Sequence, residues 1–591
     1  MILFIPYMCV LLLAGTFAIL FDQRIGKTIP FSLITSGLIL YISQMMFGRF
    51  RIGYIVLLII STMFFPVILF GKHRIREKLL TPGLVSYLII VAVFFILDSG
   101  RTFHAWDELS HWGKMVKEML RMGTWYSVPN SRLLVHREYP PFMSLIEMMF
   151  CRLGGGYSES KVYMALHTFE LALVSPYIVD SANTDFFDIT DKKERIAKGI
   201  KNILFIVMIN IISITIMEIM TMSSLFSTIY KDVVLALIFS YAMNLIGEYL
   251  SAKRKFDLVA LAFACSALVL TKQMGMTFIL IIWIYYFSST AVSMKNEMIK
   301  ENDNSRAMLL KKVVLPTVIL ISAPIIALKS WTTYTEQLGL SGQFALTKIK
   351  IEDIVALFND SYIETIQRQT FNRFIHAIFE KNILNTHYAV TYFGALVLII
   401  LSIWLLSSKK FRIIDAEKAI IFAFSFTCGW VGYAFTMCIL YLFCFSEGEM
   451  QGLASYERYM SSFILGIVFV IFTMVYKTLA AKENIKINHL VIGFAATVVF
   501  TNITVLSVFI PGVLDGITKK EFQDIADYLD REMESNASVF IVTADKIQSQ
   551  YFINYYADDI NVRLCYEDVL NAENQKHIFY IFYKDLESQN L

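Results

Sequence analysis

Apolar residues in this chain come in blocks of about 17 to 25, the number a helix rising 1.5 Å per residue needs to cross a hydrocarbon layer roughly 30 Å thick. Set against the polar residues that interrupt them, the blocks predict spans near 2–20, 31–47, 52–71, 83–98, 160–180, 201–220, 232–250, 257–271, 274–290, 313–329, 389–407, 418–445, 460–477 and 489–510, about fourteen in all. The spanning element has to be helical. Open sheet would strand its amides in lipid, and the short alternating strands of a membrane barrel are not visible. The run Ile2 to Leu20 has neither a basic leader nor a small-residue cleavage site, so it reads as a membrane helix and not as a removable signal.

Basic residues then set the sidedness. Lys72 to Arg76, Lys253-Arg254-Lys255, Lys295 to Lys312, Lys409 to Arg412 and Lys477 to Lys486 all fall on one side of this count, which the positive-inside rule makes cytoplasmic. Loops 99–159, 221–231, 330–388 and 446–459 and the tail 511–591 fall on the other side, as does Arg49-Phe50-Arg51, against the rule.

Composition supports a lipid environment: 56% of residues are hydrophobic, 17% are charged and the mean hydropathy is +0.58. A net charge of +3 over 591 residues leaves no footprint for nucleic acid. The seven cysteines lie mostly inside apolar runs without CxxC spacing, so neither a disulfide framework nor a zinc ribbon is expected.

The expected fold is therefore an all-α polytopic membrane protein with interfacial helices on its outer face and a small C-terminal α/β domain. Four parts follow: N-terminal spans over 1–98, a first long outer loop over 99–159, a transmembrane core over 160–510 with the outer loop 330–388, and an α/β tail over 511–591. In the first loop, a helix-like stretch runs from Ala105 to Met122, and Pro140-Pro141 opens an apolar run too short to span. In the tail, Lys519 to Met533 and Lys546 to Tyr556 read as helices, and Ala537 to Thr543, Asn561 to Cys565 and His577 to Tyr583 as strands.

Candidate chemistry gathers in the segment Phe103 to Trp112, which puts Asp107 and Glu108 at a membrane boundary directly after a span, where charge is costly unless it has a use. On a regular helix His104, Asp107 and His111 share a face and Glu108 points roughly 100° away. Acidic residues also suit a helix start for dipole reasons alone, and His104, His111 and the carboxylates could instead hold a divalent ion. Lys272, between two closely spaced apolar runs, needs a partner or must snorkel. Trp106, Trp112, Trp125 and Tyr126 flank the acidic pair and could stack on a sugar. Arg137 and Lys231 are taken as outward-facing.

An acidic pair in the first long outer loop resembles the modified acidic motif of the GT-C superfamily of membrane glycosyltransferases, of the protein mannosyltransferase and aminoarabinose transferase type. Arg137-Glu138-Tyr139-Pro140-Pro141-Phe142 is similar to that family's aromatic-Pro-Pro segment, Tyr230-Lys231-Asp232 to its second acidic position, and Ser455-Tyr456-Glu457-Arg458-Tyr459 to its late Arg-Tyr segment. The resemblance implies an outer cavity for a polyprenyl-phosphate sugar and a glycan, lipid or protein acceptor, in a plasma membrane, with inversion at the anomeric carbon. It also implies Asp107 as base beside Glu108. Arg458, Lys272 and Arg137 are the candidates for holding donor phosphate, and His104, His111, Trp112, Tyr139, Asp232 and Tyr459 for lining the cavity. No cofactor is expected beyond a possible divalent cation. Two other classes stay open: a polysaccharide polymerase or ligase using a lipid-diphosphate donor, with Arg368, Arg373 and His376 available in loop 330–388, and a lipid-linked glycan flippase or transporter.

Overall fold

Long apolar blocks become helices because lipid offers the backbone no partner except itself. The computed structural model describes residues 2–70, 75–181, 228–300, 306–340, 351–356, 366–383, 389–409, 413–481, 516–543, 548–563 and 579–582, with isolated positions between 203 and 220 and at 342. Among the described residues, nine helices are long and apolar enough to cross a membrane, and three further apolar helices are shorter. Their outward residues stay apolar, with Leu69, Ile96, Leu315, Ile326, Trp404 and Ile420 exposed, as suits lipid and not water. The chain is a multi-pass, all-α integral membrane protein. The expected span 489–510 lies outside the described residues, and 201–220 is described only in part, as an apolar helix over Ile209–Glu218.

Helix edges depart from expectation where a polar residue finds a partner inside the bundle. The second helix runs over Ile25–Phe47, six residues earlier than the apolar pattern suggests, because Lys27 pairs with Glu248 at 2.9 Å. Asp180, at the end of the Glu159–Ser181 helix, accepts hydrogen bonds from Gly26 N (2.7 Å), Gly83 N (2.8 Å) and Thr81 Oγ1 (2.7 Å). One buried carboxylate thus satisfies the opening amides of two other helices. Both glycines are required by the approach: a Cβ on either would stand 2.5 Å from Asp180 atoms.

The Glu159–Ser181 helix sits at the centre, and Asp232–Ala252 packs against Lys255–Thr271 and Tyr456–Ala481 beside it. Arg49-Phe50-Arg51 shares a face with the first long loop, since Phe50 packs edge-on to Trp125 at 5.1 Å and Gln44 donates to Thr124 Oγ1 at 2.8 Å. That loop carries the helices Gly113–Met122 and Phe142–Leu153.

The tail forms a small α/β unit. Strands β1 (Ser538–Thr543), β2 (Asn561–Arg563) and β3 (Phe579–Phe582) make a parallel sheet in the order β2-β1-β3, covered by the helices Gly516–Glu532 and Gln548–Tyr556. It rests on the first long loop: Lys114 Nζ donates to Asn554 O (2.5 Å), Lys117 Nζ to Tyr555 O (2.9 Å) and Arg132 Nη2 to Asn536 Oδ1 (3.0 Å). The two lysines cap the carbonyl end of the Gln548–Tyr556 helix, the end that favours cations.

Candidate functional site

Four segments far apart in sequence meet at one end of the bundle. Arg458, in the first turn of the Tyr456–Ala481 helix, donates from Nη1 to Asp107 Oδ2 at 2.8 Å, and its Nε stands 3.4 Å from Asp232 Oδ2. Asp232, opening the Asp232–Ala252 helix, accepts from Lys272 Nζ at 2.7 Å, and Lys272 ends the Lys255–Thr271 helix. The result is a chain of alternating charge, Asp107–Arg458–Asp232–Lys272, with two acids and two bases. Aromatic faces hold both cations: the Arg458 guanidinium lies 4.3 Å from the Tyr230 ring and 4.9 Å from Tyr459, and Lys272 Nζ 4.7 Å from Tyr459.

This chain lines a cavity of about 230 Å³ together with Trp106, His111, Trp112, His136, Tyr139, Phe445, Glu449, Ala454, Ser455 and Tyr459. Of the residues proposed from sequence, Asp107, His111, Trp112, Tyr139, Asp232, Lys272, Arg458 and Tyr459 are brought together here, with Trp106 beside them. One local feature explains how Asp107, His111 and Trp112 share a wall. Glu108–Trp112 is a π turn, whose wider i→i+5 pitch returns a residue five positions on to about the same face. In an α-helix Trp112 would point roughly 140° away from Asp107. Gly113 closes the turn, where a Cβ would lie 2.7 Å from Glu108 O and closer still to the Phe103 ring.

Other expectations are corrected. Glu108 does not line the cavity: its fully buried carboxylate accepts from the amides of His104 (2.7 Å), Ala105 (2.8 Å) and Ile229 (2.7 Å) and from Tyr163 Oη (2.7 Å). Reaching back to Ala105, three residues earlier, is the carboxylate half of a capping box. His104 precedes the helix, places its ring 3.6 Å from Glu108 Oε2 and is not among the residues that line the cavity. The Arg137 guanidinium is spent on Leu133 O (2.6 Å) and Ser131 O (2.8 Å). Lys231 does not face outward; it is buried in an ion pair with Glu147. Trp125 belongs to a separate aromatic cluster with Phe50 and Trp331, and buried Tyr126 donates to Tyr139 O at 2.5 Å. Among the described residues no group of three or more His, Cys, Asp or Glu side chains could hold a metal ion.

His136, Phe445, Glu449 and Ala454 line the cavity without having been singled out by sequence. His136 stacks on Tyr139 at 4.3 Å and meets His111 at 4.7 Å. Leu453, Ser455 and His136 adopt positive φ of 47°, 58° and 58°, a cost accepted where surrounding structure holds it. The turn before Arg458 is secured by a capping box between Ser446 and Glu449 and by Tyr441 Oη donating to Ala454 O at 2.6 Å.

Electrostatics separate the two adjacent acids. Burial pushes the Asp107 carboxyl up, but the Arg458 and Lys272 cations outweigh it and hold the group below the ordinary aspartate value. Burial pushes Glu108 up to about 7 against its four donors. Burial also drives His111 well below the usual histidine value, with Asp107 opposing. The cavity thus offers an ionised carboxylate beside a neutral imidazole.

Fold and lining define a polytopic α-helical membrane protein with a charged, aromatic-walled cavity at one end of its bundle. No family model matches the chain, and comparison with curated proteins and with solved structures gives no match.

Proposed function

We propose that the chain is a membrane glycosyltransferase of GT-C type, with about fourteen spans, that moves a sugar from a polyprenyl-phosphate donor to an acceptor hydroxyl at the extracytoplasmic face of the plasma membrane. The observation that carries this reading is the Asp107–Arg458 pair at 2.8 Å on the wall of the cavity. In the reaction the acceptor oxygen attacks the anomeric carbon, the bond from that carbon to the phosphate oxygen breaks, and the hydroxyl proton passes to Asp107. The anomeric centre inverts. Polyprenyl phosphate leaves, and its charge needs fixed cations near lipid. Arg458 suits that task because its guanidinium lines the cavity beside Asp107, which places a fixed cation where the leaving phosphate would sit. Lys272 supplies the second cation, and Trp106, Trp112 and Tyr139 offer faces for a sugar ring.

A flippase or transporter has one observation in its favour. Glu170 is fully buried midway along the Glu159–Ser181 helix, and neither carboxylate oxygen is hydrogen-bonded among the described residues, the kind of intramembrane acid that transporters use. Mass analysis of lipid-linked sugars in cells carrying only Asp107→Asn separates the classes. Accumulated monophosphate-linked sugar is expected. A diphosphate-linked oligosaccharide in its place would move the assignment to a polymerase or ligase, and an unchanged lipid pool with normal product would remove the enzyme reading.

A further inference from the structure

At the far end of the Asp232–Ala252 helix from Asp107 lies a second cavity, of about 740 Å³, walled by the ends of this helix and of Gly275–Lys300, Ala416–Phe443 and Tyr456–Ala481. Nothing in the transfer chemistry uses it. Its polar corner is Glu248, which receives Lys27 Nζ at 2.9 Å, Lys477 Nζ at 2.7 Å and Arg254 Nη2 at 2.5 Å, while Arg254 also reaches Asp257 at 2.8 Å. Three cations against two carboxylates leave one positive charge in excess. Lys27 and Glu248 are largely buried while Lys477 is 25% and Arg254 37% exposed, so that charge is only partly screened. At the mouth, Asp415, Glu417 and Lys418 are exposed, so water and salt mask them and the excess is confined to the corner around Glu248.

A buried excess charge is costly unless an anion answers it. Lysine ammonium groups have donors beyond the single bond each gives Glu248, and Ser289 and Ser293 supply hydroxyls in the same cavity. The other walls are apolar, with Met243, Phe422 and Met474, and Ile420 and Phe424 on the outer side of one wall helix are exposed. A site that is cationic in one corner and apolar around it suits a phosphate carrying acyl chains better than a free polar metabolite. Basic pockets between membrane helices on the face of the basic loops are where anionic headgroups bind.

We infer that this cavity binds the phosphate of an anionic phospholipid, with Lys27, Lys477 and Arg254 as its recognition group. The inference does not depend on the glycosyltransferase reading, because the site shares no residue with the Asp107 cavity. The test uses the full-length protein in detergent, with native mass spectrometry after addition of phosphatidylglycerol or phosphatidylcholine, and a thermal-shift arm with inorganic phosphate. Wild type is expected to retain phosphatidylglycerol in preference to phosphatidylcholine. Lys477→Gln should lower that retention about fivefold, the effect of one basic group beside an anionic lipid, and Glu248→Gln should raise it. Protection by inorganic phosphate without selective lipid retention would identify a free phosphate as the source of the same chemistry. Equal retention of both lipids by wild type with no phosphate effect would overturn the inference, whether or not either variant folds, and leave the corner as a structural clamp.

Discussion

The two ends of the Asp232–Ala252 helix are built from similar parts with different outcomes. At one end Asp107, Arg458, Asp232 and Lys272 alternate in sign and balance, with aromatic faces against both cations. At the other, three cations converge on Glu248, and Asp257 pairs with one of them, Arg254. Balance leaves an acid ionised, immobilised and facing a cavity, which suits proton transfer. Excess charge suits holding an anion. The number of charges matters less than their order.

The contrast breaks most sharply at Asp107. Asp107→Asn keeps the shape and removes the proton acceptor, so transfer from a polyprenyl-phosphate sugar in proteoliposomes should fall about 10²–10⁴-fold, far more than the loss of thermal stability from unpairing Arg458 accounts for. Activity at the wild-type level would assign the base elsewhere. Next in size is Arg458→Ala, expected to cost about 100-fold in kcat/KM, with Arg458→Lys recovering only part because a point charge replaces a fork. If the lysine variant matches wild type across donor concentrations, bidentate phosphate holding is wrong.

Glu108→Gln sharpens the distinction between neighbouring acids. Three amides and a hydroxyl point at this carboxylate, and an amide group would turn a donor toward some of them. The expected cost is about 2–3 kcal/mol of stability, the scale of hydrogen bonds to a charged group. Any loss of transfer should follow loss of fold, and the pH profile of the remaining activity should be unchanged. A selective loss of turnover in a protein of normal stability would return Glu108 to the chemistry.

Much of this was legible in the sequence, and the exceptions have physical causes. Apolar block length located the described helices because lipid penalises every unpaired amide. Lys27 was misleading: it shortened the second helix on paper because its partner Glu248 is 221 residues away. The Asp107–Arg458 pair spans 351 residues, so only the resemblance to a known motif order, and not spacing, could associate the two. Glu108 reads from sequence as half of a catalytic pair because DE at a helix start looks like one, while the third helical position also suits a carboxylate that folds back on the cap. The π turn that brings Trp112 to the cavity, and the positive φ of His136, leave no mark in residue periodicity.

The smallest expected effect concerns the join between the first loop and the tail. Lys114 is buried against Asn554 O and Ala557 O, and burial lowers its amine to about 7, with Glu118 opposing. Below that value the amine is charged both folded and unfolded. Between about 7 and the ordinary lysine value the folded amine is neutral while the unfolded one still carries its proton, so the unfolded state binds more protons and stability rises with pH. Asp107 has the opposite history: its lowered value means that its contribution is present above the ordinary aspartate range and is lost only as pH falls through the depressed value. Of these two groups, Lys114 alone loses its proton between pH 7 and 9. Protection of the tail from limited proteolysis should therefore increase over that interval in wild type and stay flat in Lys114→Met, which keeps the apolar stem and loses the titrating group. A pH response that persists in the methionine variant would assign it to a group other than Lys114.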